Sequence, residues 1–187
     1  MSAEQTRIAL SSVAARLSED GGLLAEALIA GDAVNPGPDD PALGALAAAG
    51  PLSAGREAQI AVVVEAVYEG FLLHGGSSRI LNASDGDLNI LAGDRLYALG
   101  LAELAALGDL DSGRELADVI AICAQARALD DRALAIAAWQ LGASAIGWGS
   151  SPEAEQAKDA VSDDASAAAR ALQAAACQLR GDVAQSD

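Results

Sequence analysis

Residues 56–109 constrain the fold most, because they hold two long apolar stretches joined by a short polar loop. In the first stretch, apolar side chains recur at steps of three and four, which is the period of an α-helix. The second stretch is apolar nearly all the way round, with Leu88, Ile90, Leu91, Leu96, Leu99, Leu101, Leu104 and Leu107. A helix of that kind belongs in the middle of a helical bundle or at an interface.

The composition favours helices along the rest of the chain as well. Hydrophobic residues make up 52% of the sequence and aromatic residues only 3%, with alanine as the main filler. Alanine has the best helix propensity, and the alternating apolar runs typical of strands are absent. We therefore predict an all-α fold, an antiparallel bundle of about six to eight helices. The predicted helices cover residues 3–19, 23–30, 41–49, 55–74, 87–107, 113–129, 132–147 and 151–180.

A chain of this length usually folds around one hydrophobic core, so we expect a single helical domain over residues 1–187. Two helices occupy residues 1–31, a Pro/Gly-rich loop covers 32–39, the helical core covers 40–180, and 181–187 form a frayed tail. Polar side chains that can accept hydrogen bonds from free N–H groups mark several helix starts. They are Ser84 or Asp85, Ser112, Asp130 or Asp131, and Ser151 before Pro152.

The charge balance excludes several classes of partner. The formal net charge is −16, from 27 acidic and 11 basic residues, and no basic stripe is present. Binding to nucleic acid or to an anionic membrane is therefore disfavoured. No apolar run is long enough for a membrane span, and the N-terminal residues lack the pattern of a secretory signal. Cys123 and Cys177 lie in apolar helical contexts, so we expect reduced core cysteines in a cytoplasmic protein.

Three segments of the chain carry a resemblance to a known family. Residues 66–74 read AVYEGFLLH, residues 91–98 read LAGDRLYA, and residues 141–147 read LGASAIG. They resemble, in order, three features of the trans-isoprenyl diphosphate synthase (polyprenyl synthetase) family. These are the helix ending in LxH before the first aspartate-rich motif, the LAGDxLxA helix, and the LGxxxG segment before the second aspartate-rich motif. The resemblance implies a shortened helical bundle of the isoprenoid-synthase type.

The chemistry of that family depends on groups that this chain lacks. The family ionises an allylic diphosphate and adds isopentenyl diphosphate to the cation, and its aspartate-rich motifs hold the Mg²⁺ ions that neutralise the leaving diphosphate. At the matching positions this chain reads HGGSS over residues 74–78 and WGSS over residues 148–151, with no aspartate. The resemblance therefore implies a member that has no catalytic residues, metal or cofactor of its own, because the leaving group would not be stabilised.

The resemblance also points to candidate binding residues. Arg79 lies in the loop where the family has phosphate-binding arginines, with Ser77 and Ser78 beside it. Asp94 matches an aspartate that is structural or lines the family's cavity, and we expect it to be buried and hydrogen-bonded. If the bundle keeps a hydrophobic cavity for a prenyl tail, its walls include Val63, Val67, Leu91, Leu96 and Leu99.

The helix predicted over residues 87–107 is also the candidate interface. In the family the dimer interface is helical and apolar, and this helix has the apolar character that an interface core requires. The candidate interface residues are Leu88, Leu91, Leu99 and Leu104.

Clusters of acidic residues suggest metal sites, but each has a simpler interpretation. Glu65 and Glu69 lie one helical turn apart, with His74 nearby, yet the Glu-x-x-His pair needed on a second helix is missing. We expect solvated or core-capping carboxylates there, and helix capping by Asp85 with Asp87 in the first turn. The pairs Asp130–Asp131 and Asp163–Asp164 are interpreted as helix caps or surface residues.

These observations lead to one principal hypothesis and two alternatives. The principal hypothesis is a non-catalytic helical subunit of isoprenoid biosynthesis, a partner, regulator or homodimeric scaffold that forms a homodimer or pairs with a catalytic isoprenyl diphosphate synthase. The first alternative is a prenyl- or lipid-binding helical protein, or a residual prenyltransferase. The second is a helical protein-interaction domain unrelated to that family.

Overall fold

The fold is all-α, as the sequence predicts. The computed structural model describes residues 3–30, 34, 36–37, 40–82, 84–162 and 165–184. Within these ranges the chain forms nine α-helices: α1 Ala3–Asp20, α2 Gly22–Glu26, α3 Leu43–Ala48, α4 Glu57–His74, α5 Gly86–Leu107, α6 Leu110–Ala128, α7 Arg132–Trp148, α8 Pro152–Asp159 and α9 Ala165–Ala184. Short 3₁₀ turns cover Pro51–Ser53 and Ala160–Ser162.

Several predicted helix starts are confirmed, because N-capping is a local interaction. The Asp85 side chain accepts hydrogen bonds from the N–H groups of Asp87 and Leu88 at the start of α5. Asp131 caps α7, and Ser151 caps α8 with Pro152 at its first position. The loop predicted at 32–39 and the pair Asp163–Asp164 lie mostly or wholly outside the described residues.

Four predicted boundaries are wrong. The second helix ends at Glu26, because Ile29 donates its N–H to the Ile80 carbonyl (2.9 Å) and Leu28 forms an antiparallel bridge with Leu81. Helix α6 starts three residues before the predicted first residue, Gly113, since its cap is Asp109 and not Ser112. The helix predicted over 151–180 is interrupted, with α8 ending at Asp159 and α9 starting at Ala165. The predicted tail is helical as far as Ala184.

The chain divides into two compact units. The first contains Met1–Ala45 and Arg56–Gly108, and the second contains Leu46–Gly55 and Asp109–Asp187. Among the residues that the structure describes, none of the helices combines the length and the apolar character required to cross a membrane.

In the first unit, α4 and α5 approach each other closely because glycines face the contact. A Cβ on Gly70 would lie 2.9 Å from the Gly93 carbonyl oxygen, and one on Gly100 would lie 2.4 Å from Cγ2 of Val67. Neither distance is compatible with a side chain, so these glycines set the separation of the two helices.

In the second unit, glycine has the same role at two places. A Cβ on Gly142 of α7 would lie 2.2 Å from Cγ2 of Val119 on α6. A Cβ on Gly50 would lie 2.1 Å from the backbone of Gly147. Gly142 and Gly147 of α7 therefore mark positions of close packing.

Candidate functional site

The most distinctive polar feature of the first unit lies in the middle of α4. Glu65 and Glu69 are both fully buried, in a helix whose other buried residues are almost all apolar. A buried carboxylate needs a cation or several hydrogen-bond donors, because transfer out of water penalises the charged form strongly. The sequence left two alternatives for this pair, solvated or core-capping carboxylates, and the solvated alternative is wrong.

The cation is Arg79, which the loop after α4 brings back over the helix. Its Nε donates a hydrogen bond to Oε2 of Glu69 (2.8 Å), and its Nη2 lies 2.9 Å from Oε2 of Glu65. The second contact is an ion pair between two buried side chains. We call these three residues the Arg79 cluster.

Backbone and hydroxyl groups complete the Arg79 cluster. Gly44 donates its N–H to Oε1 of Glu65 (2.9 Å), and Arg79 donates its own N–H to Oε1 of Glu69 (2.7 Å). The Ser78 hydroxyl donates to the same Glu69 oxygen (2.6 Å). The guanidinium also lies 4.9 Å from the centroid of the Tyr68 ring, a favourable cation–π distance. The cluster thus ties α3, α4 and the following loop together.

The charges in this cluster do not balance. Two carboxylates face one guanidinium, and burial raises the pKa of Glu65 above its ordinary value, although Arg79 and the Gly44 N–H act in the opposite direction. Burial alone would lower the pKa of Arg79, but the two carboxylates outweigh it and raise that pKa. Burial also raises the pKa of Tyr68 to about 12. Arg79 is therefore a permanent cation that is already neutralised by its own neighbours.

Asp94 is placed differently from the prediction. Its side chain is 68% exposed rather than buried, and its Oδ1 lies 3.1 Å from Nε2 of His74. The other ring nitrogen of His74 lies 2.8 Å from the Gly70 carbonyl oxygen. Both nitrogens face acceptors, so the two hydrogen bonds form together only when the ring carries two protons. This pair links the end of α4 to the outer side of α5.

The structure buries four of the apolar side chains predicted to line a cavity and exposes the fifth. Val63, Val67, Leu96 and Leu99 are buried in the first unit, where Val67 packs directly against Gly100. Leu91 is 64% exposed on the opposite side of α5. A ligand-binding role for Arg79, Asp94 and these side chains stays a prediction.

The candidate interface residues also divide between two sides of α5. Leu99 and Leu104 are buried inside the first unit, Leu88 is half-buried, and Leu91 is exposed. Two further large apolar side chains on this helix, Ile90 and Leu101, are also exposed, and they were not among the candidate interface residues. The sequence did not predict this division, because α5 is apolar nearly all the way round and the pattern does not indicate which side packs against the rest of the unit.

The second unit contains a polar cluster of its own, built on Lys158, the one lysine in the chain. Its Nζ lies 2.8 Å from Glu115, 2.9 Å from Asp118 and 3.0 Å from Glu155, so it links α6 to α8. Burial would lower the pKa of Lys158, but its three carboxylate partners raise it to about 12. Burial raises the pKa of Glu115. We call these four residues the Lys158 cluster.

A narrow crevice lies beside the Lys158 cluster. It is lined by Val119, Ile122, Leu141 and Leu172 as well as by Lys158, and it has no room for a water molecule. It therefore offers no ligand site in this conformation.

Metal-ligating and nucleophilic groups are scattered. No group of three or more His, Cys, Asp or Glu side chains is positioned to hold a metal ion within the described part of the chain. Cys123 is buried, which raises the pKa of its thiol to about 12, whereas Cys177 is exposed on α9 and is not the core residue predicted.

Sequence reasoning missed both polar clusters. The signal for the Arg79 cluster was two glutamates one turn apart on a helix that is otherwise apolar, since such a helix cannot place them in water. Nothing in the sequence pointed to the Lys158 cluster, whose members lie up to 43 residues apart. The chain matches no protein-family model, no curated protein and no solved structure at a significant level.

Proposed function

We propose that this chain is a non-catalytic helical subunit of the trans-isoprenyl diphosphate synthase kind, which acts through association with another protein chain. The observation that carries the proposal is the Arg79 cluster. Arg79 is the residue that the resemblance would assign to a diphosphate, and here its charge is taken up by Glu65 and Glu69 inside the unit. An incoming diphosphate would have to displace two buried carboxylates that carry the same sign of charge.

The segments that replace the family's aspartate-rich motifs have local structural roles, which supports the same proposal. Ser78 donates to Glu69 and accepts hydrogen bonds from the N–H groups of Ile80 and Leu81. Ser151 accepts the N–H of Ala154 and starts α8. Neither segment presents a carboxylate at the position where the family holds Mg²⁺.

Exposed apolar side chains support the association part of the proposal. Ile90, Leu91 and Leu101 are exposed on α5. Single exposed apolar residues are ordinary, but several on one helix are typical of a contact surface. This part of the proposal does not depend on the family resemblance, so it holds equally for an unrelated helical interaction domain.

The test is a paired assay of binding and turnover. The purified chain is run on size-exclusion chromatography with light scattering, alone and with a catalytic isoprenyl diphosphate synthase from the same source. Both samples are then assayed with an allylic diphosphate, isopentenyl diphosphate and Mg²⁺. We expect no product from the chain alone, and a complex that changes the rate or the product length of the synthase. Magnesium-dependent turnover by the chain alone would overturn the non-catalytic part, and a chain that binds no synthase would overturn the assignment to this family's assemblies.

A further inference from the structure

The single histidine of the sequence, His74, is the last residue of α4. Its ring occupies space that Gly93 of α5 leaves open, since a Cβ on Gly93 would lie 2.7 Å from Cε1 of the ring. The side chain is 23% exposed, so most of it is out of water. The protein groups around the ring therefore decide which of its nitrogens carry protons.

The two ring nitrogens face acceptors that cannot donate. Nδ1 lies 2.8 Å from the Gly70 carbonyl oxygen on α4, and Nε2 lies 3.1 Å from Oδ1 of Asp94 on α5. A carbonyl oxygen and an ionised carboxylate both accept hydrogen bonds only. Both contacts are hydrogen bonds at the same time only when each nitrogen carries a proton, which makes the ring a cation.

The charges near the ring favour that cation. Asp94 is the acidic group opposite it, and the C-terminal end of α4 is the negative end of the helix dipole. From α5 the ring also meets Tyr97, whose ring centroid lies 5.1 Å away. The neighbouring cation, Arg95, is paired with Asp20 of α1 through a hydrogen bond of 2.8 Å, so its charge is taken up there.

We propose that His74 is a proton-controlled link between α4 and α5. With two protons the ring holds both Gly70 and Asp94, and when the proton on Nε2 passes to water the ring keeps Gly70 and releases Asp94. Gly70 is buried and its carbonyl is fixed in α4, whereas Asp94 is 68% exposed and can rotate into the solvent. Histidine changes charge between about pH 5 and pH 8, so the link closes on acidification and opens in alkali.

The link lies where the chain leaves α4 towards the Arg79 cluster. Gly75 and Gly76 close the last turn with N–H hydrogen bonds of 2.9 Å to carbonyls of α4. A closed link fixes this turn against α5, and an open link does not. Because the closed link binds its proton more tightly than the unfolded chain does, the stabilisation is present at low pH and is lost as the pH rises. This inference does not rest on the proposed function.

The first test is a pH titration by NMR with ¹⁵N-labelled histidine rings. One histidine gives one pair of ring nitrogen signals, so the titration of Glu65 does not confuse the result. We expect both nitrogens to be protonated at low pH and Nδ1 alone at high pH. A neutral ring that carries its proton on Nε2 would overturn the release of Asp94.

The variant Asp94→Asn tests the link itself. A side-chain amide can donate to the neutral Nε2 or accept from the charged one, so it no longer favours the second proton. We expect the proton affinity of His74 to fall about two- to fivefold, as for the loss of an exposed ion pair. Equal proton affinities in the wild type and Asp94→Asn would overturn the link.

The matched control is Asp87→Asn, which removes the same charge from α5 about 10 Å further along the helix. Salt screens most of the interaction at that distance, so the proton affinity of His74 should not change. A fall as large as that in Asp94→Asn would show that the ring responds to the total charge of the chain, and would overturn the link.

Hydrogen exchange tests the effect on the last turn of α4. After correction for the intrinsic pH dependence of exchange, protection of the Gly75 and Gly76 amides should fall about two- to fivefold as the link opens, in proportion to the energy of an exposed ion pair. In Asp94→Asn the corrected protection should not change with pH. Constant protection in the wild type would overturn the proposal that the link fixes this turn.

Discussion

The Arg79 cluster and the Lys158 cluster each place one buried cation among an excess of carboxylates, yet they differ in the surroundings of those carboxylates. The cations are similarly enclosed, with side-chain exposures of 7% for Arg79 and 9% for Lys158. Both carboxylates around Arg79 are fully buried. Around Lys158 only Glu115 is buried, while Asp118 and Glu155 are 37% and 45% exposed.

The difference shows that burial of the anions, rather than of the cation, decides what such a cluster contributes. If the cation is lost, a half-exposed carboxylate can rotate towards the solvent and be hydrated there. A fully buried carboxylate stays in a medium that solvates it poorly. The Arg79 cluster should therefore be a strict requirement for its unit, and the Lys158 cluster a modest contribution to the other.

The largest expected effect is that of Arg79→Met. The substitution leaves Glu65 and Glu69 buried without a cation, so we expect the free energy of unfolding to fall by about 3–5 kcal/mol. Urea denaturation followed by circular dichroism measures the change. The matched control is Arg95→Met, whose ion pair with Asp20 is more than one-third exposed on both sides and should cost at most about 1 kcal/mol. Equal losses in the two variants would contradict the proposed importance of buried anions.

The next effect is that of Lys158→Met. Only Glu115 is then buried without a cation, because Asp118 and Glu155 can reach water. We therefore expect the free energy of unfolding to fall by about 1–3 kcal/mol. The same denaturation experiment measures it. A loss as large as that of Arg79→Met would mean that the two exposed carboxylates cannot relax, and the contrast between the clusters would disappear.

A smaller effect concerns pH and Glu65. Burial raises the pKa of Glu65 above 4.5, so folding favours the protonated form. Its contribution to stability is complete below pH 4.5 and is lost as the pH rises through the folded-state pKa. We expect the free energy of unfolding to fall over that rise, and Glu65→Gln to reduce the slope while keeping an acceptor for the Gly44 N–H. Unfolding curves at a series of pH values test this, with superimposable profiles for the two proteins as the contrary result.

The smallest effect is that of Glu155→Gln. The side chain is exposed and one of three partners of Lys158, so we expect a loss of about 0.2–1 kcal/mol that shrinks at high salt. Denaturation in low and high salt provides the measurement. A loss of stability that does not depend on salt would mean that Glu155 behaves like a buried carboxylate, and this would weaken the contrast between the two clusters.

Much of the fold could be predicted from the sequence, and the reasons are local. The apolar period of α4 and α5 and the caps Asp85, Asp131 and Ser151 depend on residues within a turn of one another. The start of α6 was predicted wrongly because Asp109 and Ser112 both have the chemistry of a cap, and only the geometry selects Asp109. The candidate site could not be assembled in the same way. Arg79 was singled out for its position in a loop, but its two partners on α4 were interpreted separately from it.

The sequence by itself determined that the chain is helical, where most helices begin, and that α5 carries apolar residues on every side. These properties follow from hydrogen bonds and periodicity that act over a few residues. Only the tertiary structure decided which side of α5 is buried, because Gly70, Gly93 and Gly100 have to meet across two helices. It also decided that Glu65 and Glu69 share Arg79, since the cost of removing a charge from water depends on groups that are distant in sequence and close in space.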